Sequence, residues 1–312
     1  MLNDGYEYHE RLGPEADGLL LIEHLERRYS HSTAEEWRER IEAGRVMLDS
    51  HRARADERLR RGQTLVWRRP PWHEPDAPAS FAILHEDEDL LAVAKPAGLP
   101  TLPGGGFLST TLLNLVRTHA PNAAPLHRLG RFTSGVVLFA RAPRARAKLT
   151  AEWVSRRVVK RYRALAGGQP EFDTLEVSTR IGPVPHIVLG TVHAASPAGK
   201  RASSRVTVIE RREEGFLCDV HIVTGRPHQI RIHLASTGHP LVGEPLYAPG
   251  GRPPWGTRAL PGDPGYLLHA AELTFRHPRT NREISIQCPP PVPLVPEASR
   301  PGGRRQTDPR LH

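Results

Sequence analysis

The side chains best suited to chemistry gather in two segments. Pro125 to Arg141, PLHRLGRFTSGVVLFAR, joins a polar loop rich in His and Arg to an apolar strand. A polar loop carried on a rigid strand is a normal place for a site, because the strand fixes the loop's ends. Thr224 to His239, TGRPHQIRIHLASTGH, mixes Arg, His and hydroxyl groups with apolar residues in the same way. Metal ligation is a second chemistry to weigh, since the chain has 17 histidines and His228, His233 and His239 lie near one another. Their spacing fits no standard zinc pattern, and on the extended strand expected there His228 and His233 point to opposite faces. No metal site is expected. The stretch PGGGF at Pro103 to Phe107 lacks the later lysine or glycine of a phosphate-cradling loop, so no cofactor is implied either. Cys218 and Cys288 are too few for a disulfide framework or a four-cysteine zinc site and read as core residues.

The formal charge of +9 over 312 residues points to a polyanionic partner, because neutralising phosphates releases their counterions. Nucleic acid is the natural candidate. The surplus is almost all arginine, with Lys95, Lys148, Lys160 and Lys200 the only lysines, and codon bias also produces abundant Arg, Ala and Pro. The length holds one large domain and a small one, and 38% hydrophobic residues suffice for a core. No apolar run approaches the roughly 18 to 20 residues that span a bilayer. The opening MLNDGYEYHERLG lacks the basic and apolar regions of a signal peptide, so the expected location is cytoplasmic.

These segments need elements to position them. From about Gly18 to Trp67 the chain reads as two helices followed by two short strands. Leu21, Ile22, Leu25 and Tyr29 form an apolar stripe at helical spacing. Thr33 and Glu36 have capping-box spacing, Trp37 and Ile41 share a face, and Gly44 sits where a helix would stop near Ala43. Val46 to Leu48 and Thr64 to Trp67 are strand-like. The stretch from Arg45 to Arg69, including Arg60 and Arg61, holds eight arginines against three acidic residues. A proline-rich linker, RRPPWHEPDAPA, places a boundary near residue 78.

Beyond it strand signals dominate: FAILHE, LLAVAKP, GVVLFAR, KRYRALAGG, SRVTVIE, FLCDVHIV and QIRIHLA are β-branched or alternating runs. LSTTLLNLVRTHA and PRARAKLTAEWVSRR are the best helix candidates. The expected fold is α+β, with a large mixed, mainly antiparallel sheet over residues 79–296 preceded by a small α/β module over 1–78. The stretch APGGRPPWGTRALPGDPG reads as loop, and 297–312 as a disordered tail.

The loop at His127, Arg128, Leu129, Thr133, Ser134 and Gly135 resembles the signature of the RluA-like RNA pseudouridine synthases, HRLD, two variable residues, then TSG. Gly130 stands where that signature has its aspartate. Further segments fit the same family in order. LHEDEDLLAVAKPAGLP resembles its opening strand pair and Lys-Pro-Ala-Gly turn, where Lys95 reads as a scaffold or phosphate contact. KRYRALAGG carries Tyr162 at the position of the family's active-site tyrosine; alternation sets Lys160, Tyr162 and Ala164 on one face, where an aromatic is ordinarily core. TGRPHQIRIH resembles the third signature and gives Arg231 the position of the arginine that pairs with the catalytic aspartate. GEPLY with Glu244 resembles the usual GDPLY, and LLHAAELTFRHP the closing strand. The N-terminal stretch resembles, in the EAGRVMLD step and the RLRRGQTL turn, the small RNA-binding module of one small-subunit ribosomal protein. A solvated helical pair is the plainer alternative.

The resemblance implies isomerisation of uridine to pseudouridine in ribosomal or transfer RNA, with no cofactor. The target base must leave its stack, which costs a few kcal/mol. Arg128 is then the candidate to fill the vacated space, Tyr162 stacks on the base, and His127, Arg131, Arg45, Arg60 and Arg61 are candidate RNA contacts. Glycine supplies neither nucleophile nor base. Gly130 therefore leaves Arg231 expected to be without a partner, its charge free for phosphate. A non-catalytic RNA-binding or assembly factor on the same scaffold is the second reading. Asp87, Asp89 and Glu244 are the acids nearest the motifs, each with an ordinary place as a turn or surface residue.

Overall fold

The computed structural model describes residues 1–29 and 32–300. The chain forms two compact units, Met1–Asp76 with Ile187–Gly190, and Ala77–His186 with the chain from Thr191 onward. No helix among the described residues is long and apolar enough to cross a membrane.

The first unit runs β1 (Tyr6–Arg11), α1 (Leu21–Arg28), α2 (Ala34–Glu42), β2 (Val46–Leu48), β3 (His51–Arg52) and β4 (Thr64–Arg69). Thr33 caps α2 as its spacing with Glu36 predicts: the Glu36 N–H donates to Thr33 Oγ1, and the Thr33 N–H donates to Glu36. Gly44 follows the helix at φ 68°, a left-handed turn that a residue without Cβ adopts readily. Leu21, Leu25, Trp37, Ile41, Val46 and Leu48 bury together as one core. The sheet has four strands, in the order β1-β4-β2-β3, where two were expected. Five of the six β1 residues are exposed, so this edge strand has no buried alternating face to give it a sequence signal.

The second unit continues with β5 (Ala82–Glu86), β6 (Leu90–Lys95), α3 (Leu112–His119), β7 (Ala124–Pro125), β8 (Ser134–Ala140), α4 (Pro143–Val154), β9 (Val159–Gly167), β10 (Thr174–Val177), β11 (Ile181–His186), β12 (Gly190–Ala195), β13 (Ser204–Arg212), β14 (Gly215–Ile222), α5 (Gln229–Ser236), β15 (Leu268–Arg276) and β16 (Glu283–Gln287). The main sheet runs β10-β13-β14-β9-β15-β8-β6-β5, with β16 on β15 and β7 on β8. Its pairs are antiparallel except β15 with β8. The fold is α+β, as the strand-rich sequence suggested.

The middle strands are covered on both faces. Leu91, Val93, Val137 and Phe139 face one core with Leu112 and Val116 of α3 and Ile230 and Leu234 of α5. Leu90, Ala92, Val136 and Leu138 face another with Leu149 of α4. Two buried faces explain why LLAVA and GVVLF are continuous apolar runs. Gly135 sits at φ 112°, and a Cβ there would lie 2.2 Å from the Ala270 carbonyl, so only glycine lets β8 and β15 pair this closely.

QIRIHLA is a helix, α5, and not the strand its alternation predicts. The alternation arises because polar and apolar side chains are all buried there, the polar ones through specific partners. Gln229 Nε2 and His233 Nδ1, four residues apart, both hydrogen-bond Ser204 Oγ at 2.9 Å, a helical and not an extended spacing. Gly238, at φ 87°, follows the end of the helix. Of the tail expected from Glu297, residues Glu297–Ser299 form one 3-10 turn, and those beyond 300 lie outside the described residues.

Candidate active site

The loop between β7 and β8 is pinned from below. Lys95, 1% exposed, donates to the carbonyls of Pro96, Leu99 and Arg131 at 2.8, 2.7 and 2.9 Å. Burial, with the Arg131 charge nearby, pushes Lys95 down to about 7, while the three carbonyls use all three N–H bonds of its ammonium form. Lys95 is therefore scaffold and not a phosphate contact. Thr101 Oγ1 donates to the Leu129 carbonyl at 2.9 Å and accepts from its N–H at 3.2 Å, and the Thr133 N–H closes a turn onto Gly130 O.

Above this loop lies a cavity of about 110 Å³. That is room for a few waters at roughly 30 Å³ each, or for one pyrimidine ring. Arg128, Gly130, Thr133, Tyr162, Arg226, His228, Arg231 and Tyr266 line it with Leu129, Ile222, Gln229, Ile230 and Leu268. The sequence motifs thus converge: Gly130, Tyr162, Arg231 and Arg128 border one cleft. None of the lining residues is acidic.

Tyr162 points from the centre of β9, 9% exposed, and burial pushes its phenol up to about 12. Its hydroxyl has no hydrogen bond among the described residues, so it stays neutral near pH 7 and open to a ligand. Arg231 is not the unpaired cation expected. Its Nε donates to Glu244 Oε2 at 2.8 Å and its Nη2 to Oε1 at 2.5 Å, while Nη1 donates to the Pro261 carbonyl at 2.7 Å. Both side chains are buried, at 3% and 1% exposure. Burial disfavours the Arg231 charge, but the hydrogen bonds and charge of Glu244 outweigh it and raise its pKa. Glu244 Oε1 also accepts the N–H groups of Leu246 and Tyr247. Glu244 is thus a buried counter-ion and not a surface residue. It lies behind Arg231, outside the cavity lining.

Gly130 is not among the glycines with positive φ, so its backbone does not demand glycine. A Cβ there would stand 3.0 Å from the Tyr266 hydroxyl and 3.4 Å from Thr133 Oγ1. Tyr266, 4% exposed, has its hydroxyl 3.4 Å from Thr133 Oγ1, and Arg231 Cζ lies 4.1 Å from its ring centroid. The space beside residue 130 is filled by a phenol oxygen. Sequence reasoning missed Tyr266, which a Gly- and Pro-rich loop carries onto β15. The buried Arg231, needing a nearby acid, was the available signal for Glu244.

Two proposed RNA contacts have partners within the fold. His127 accepts the Leu138 N–H through Nε2 at 3.0 Å and stacks on Trp153 at 5.1 Å; burial, with Lys160 nearby, pushes it down to about 4. Arg131 donates to Gly98 O at 3.0 Å and lies over Phe107 and Phe132. Neither lines the cavity. Arg128 is exposed at its rim. Arg45, Arg60 and Arg61 are exposed on the first unit, and none is in an ion pair among the described residues.

The histidines of the third signature are engaged. His228 Nδ1 bonds the Tyr247 hydroxyl at 2.7 Å, and burial, then the charges of Arg231, His193 and Arg128, pushes it down to about 3. His233 uses Ser204 Oγ and Thr179 O, and His239 bonds Gly167 O. Asp87, Asp89 and His277 form the group of metal-ligand type among the described residues. Asp89 already pairs with Arg279 at 2.7 Å, and Asp87 with His85 and His277, so protein side chains occupy their oxygens.

Sheet and cleft together define a scaffold with a small cavity beside a buried arginine. Residues 89–236 match the family model described as RNA pseudouridylate synthase. A Synechocystis protein named an uncharacterized RNA pseudouridine synthase is 41% identical, covering 89% of this chain and 96% of its own. RNA pseudouridine synthase 5 of Arabidopsis thaliana is 36% identical over 93% of this chain and 94% of its own. The solved structure titled Human RNA Pseudouridylate Synthase Domain Containing 1 shares the fold at a TM-score of 0.56 and 23% identity, covering 70% of this chain and 87% of that one. The chain belongs to the RluA-like family of RNA pseudouridine synthases.

Proposed function

We propose that this chain isomerises uridine to pseudouridine in ribosomal or transfer RNA, without the signature aspartate and without a cofactor. The observation that carries this reading is the base-sized cleft in which Tyr162 keeps an uncommitted hydroxyl while the buried Arg231 keeps a bidentate carboxylate in Glu244. A buried arginine without its counter-ion is costly, by about 3 to 5 kcal/mol, and Glu244 supplies that counter-ion with no acid at residue 130, so the cleft keeps its cation. In this reading a flipped uridine stacks on Tyr162 and Arg128 reaches into the gap it leaves. Arg45, Arg60 and Arg61 of the first unit, which acts as an RNA-binding module, meet phosphates. The setting is the cytoplasm, where such RNA is found.

A specific observation favours a second reading, RNA binding without turnover: no carboxylate lines the cleft. Loss of a covalent nucleophile has cost other enzymes about a millionfold, roughly 8 kcal/mol of barrier. One experiment separates the two. Pseudouridine is mapped chemically in RNA from cells with and without this protein, and the purified full chain is incubated with RNA from the cells that lack it. Isomerisation predicts at least one site that disappears with the protein and is restored in vitro. RNA that binds, with no site lost in cells and none formed by the purified chain, establishes the second reading.

A further inference from the structure

We propose that Tyr266 is a catalytic residue, its phenol oxygen taking the place of the absent carboxylate at the anomeric carbon of the target nucleotide; this rests on the isomerase reading above. Three observations converge on that atom. It borders the same cleft as Tyr162 and Arg231. It lies 3.0 Å from the point where a side chain on residue 130 would begin, so it occupies the volume that Gly130 vacates. Gly130 adopts no positive φ, so the backbone does not explain the glycine and the neighbouring hydroxyl does.

The chemistry balances with no further reactant. The Tyr266 oxygen bonds to C1′ as the N1–C1′ bond breaks, and the departing uracil keeps that electron pair and takes the phenol proton. The uracil turns in the cleft. Its C5 then bonds to C1′, the bond to the phenol oxygen breaks, and the C5 proton returns to that oxygen. Tyrosine serves as nucleophile at an anomeric carbon in sialidases, so the step has chemical precedent. Arg231, with Cζ 4.1 Å from the Tyr266 ring centroid, is placed to stabilise negative charge as it builds on the phenol. Thr133 Oγ1, 3.4 Å from the hydroxyl, fixes its direction. Tyr162 is less suited, because it rises from the strand floor where the base would stack, and no contact places it beside residue 130.

The test uses the full chain and RNA extracted from cells that lack it. Tyr266→Phe removes one oxygen whose protein partner is a single long hydrogen bond, so fold and RNA affinity should hold. The rate of pseudouridine formation should fall at least about a hundredfold, the low end for a positioned catalytic group. In a second arm, a ring-fluorinated tyrosine at position 266, whose phenol is more acidic, should shift the pH–rate profile to lower pH; a purely space-filling role leaves the profile unmoved. A folded Tyr266→Phe variant within tenfold of the wild-type rate, or an unmoved profile, overturns the inference while leaving the isomerase reading intact. If Tyr266→Phe does not fold, the fluorinated chain decides. A wild-type chain that forms no pseudouridine overturns both.

Discussion

The Tyr266 hydroxyl stands 3.0 Å from where a Cβ on Gly130 would lie. Placing an aspartate at residue 130 is therefore not a one-residue operation. Gly130→Asp alone should gain no isomerase activity and should lower the melting temperature, because the new side chain meets a buried oxygen. Gly130→Asp combined with Tyr266→Phe removes that oxygen and should form pseudouridine at least tenfold faster than Tyr266→Phe alone in single-turnover assays. Equal rates would mean that Arg231, already held by Glu244, cannot support an acid at position 130.

The Arg231–Glu244 pair has a separate stability signature. Glu244→Gln leaves a buried guanidinium without its charge partner and should destabilise the second unit by about 3 kcal/mol. Urea unfolding gives the value. In the double variant Arg231→Gln with Glu244→Gln the loss should be smaller than the sum of the two single losses.

How much of this was legible follows from what each signal measures. The strands β5, β6, β8, β9, β13 and β14 and the capping of α2 were readable because burial period and capping chemistry are local, whereas β7, β10 and β16 of the main sheet were not foreseen. The helix α5 was misread because alternation reports which side chains differ in polarity, and there the polar ones are buried too, on partners such as Ser204 and Glu244 that lie at other places in the chain. Tyr162, Arg231 and Gly130, singled out by motif order, line one cleft. Arg131 and His127 lie outside that lining, with partners in the scaffold that motif order does not report. Tyr266 gave no signal at all: its importance lies in a distance to a residue 136 positions away (266 − 130 = 136).

Acid should unfold the chain partly through His127. The unfolded chain binds a proton there near the ordinary imidazole value of 6.5, whereas the folded chain resists it down to about 4. Stability is thus fully present above about pH 6.5 and is lost as pH falls toward 4. The upper limit is about 3 kcal/mol at 1.36 kcal/mol per unit. Urea midpoints at pH 7 and pH 5 should show the loss. His127→Gln, which keeps an acceptor for the Leu138 N–H but does not titrate, should flatten it.

Salt dependence reads the first unit. Arg45→Ala, Arg60→Ala and Arg61→Ala should each weaken RNA binding, and each phosphate contact removed should lower the slope of log affinity against log salt by about 0.7 to 0.9. Unchanged slopes in all three, measured by filter binding with RNA from cells lacking the protein, would place the RNA elsewhere.

Glu244 pairs with the one deeply buried cation of the cleft before any ligand arrives, and the remaining lining cations, Arg128 and Arg226, are less buried. In the isomerase reading the cleft takes an uncharged ring, and electrostatics belongs to the approach. Ionic strength should govern how often RNA arrives, while the residence time of the extruded base depends on shape and stacking and stays nearly indifferent to salt.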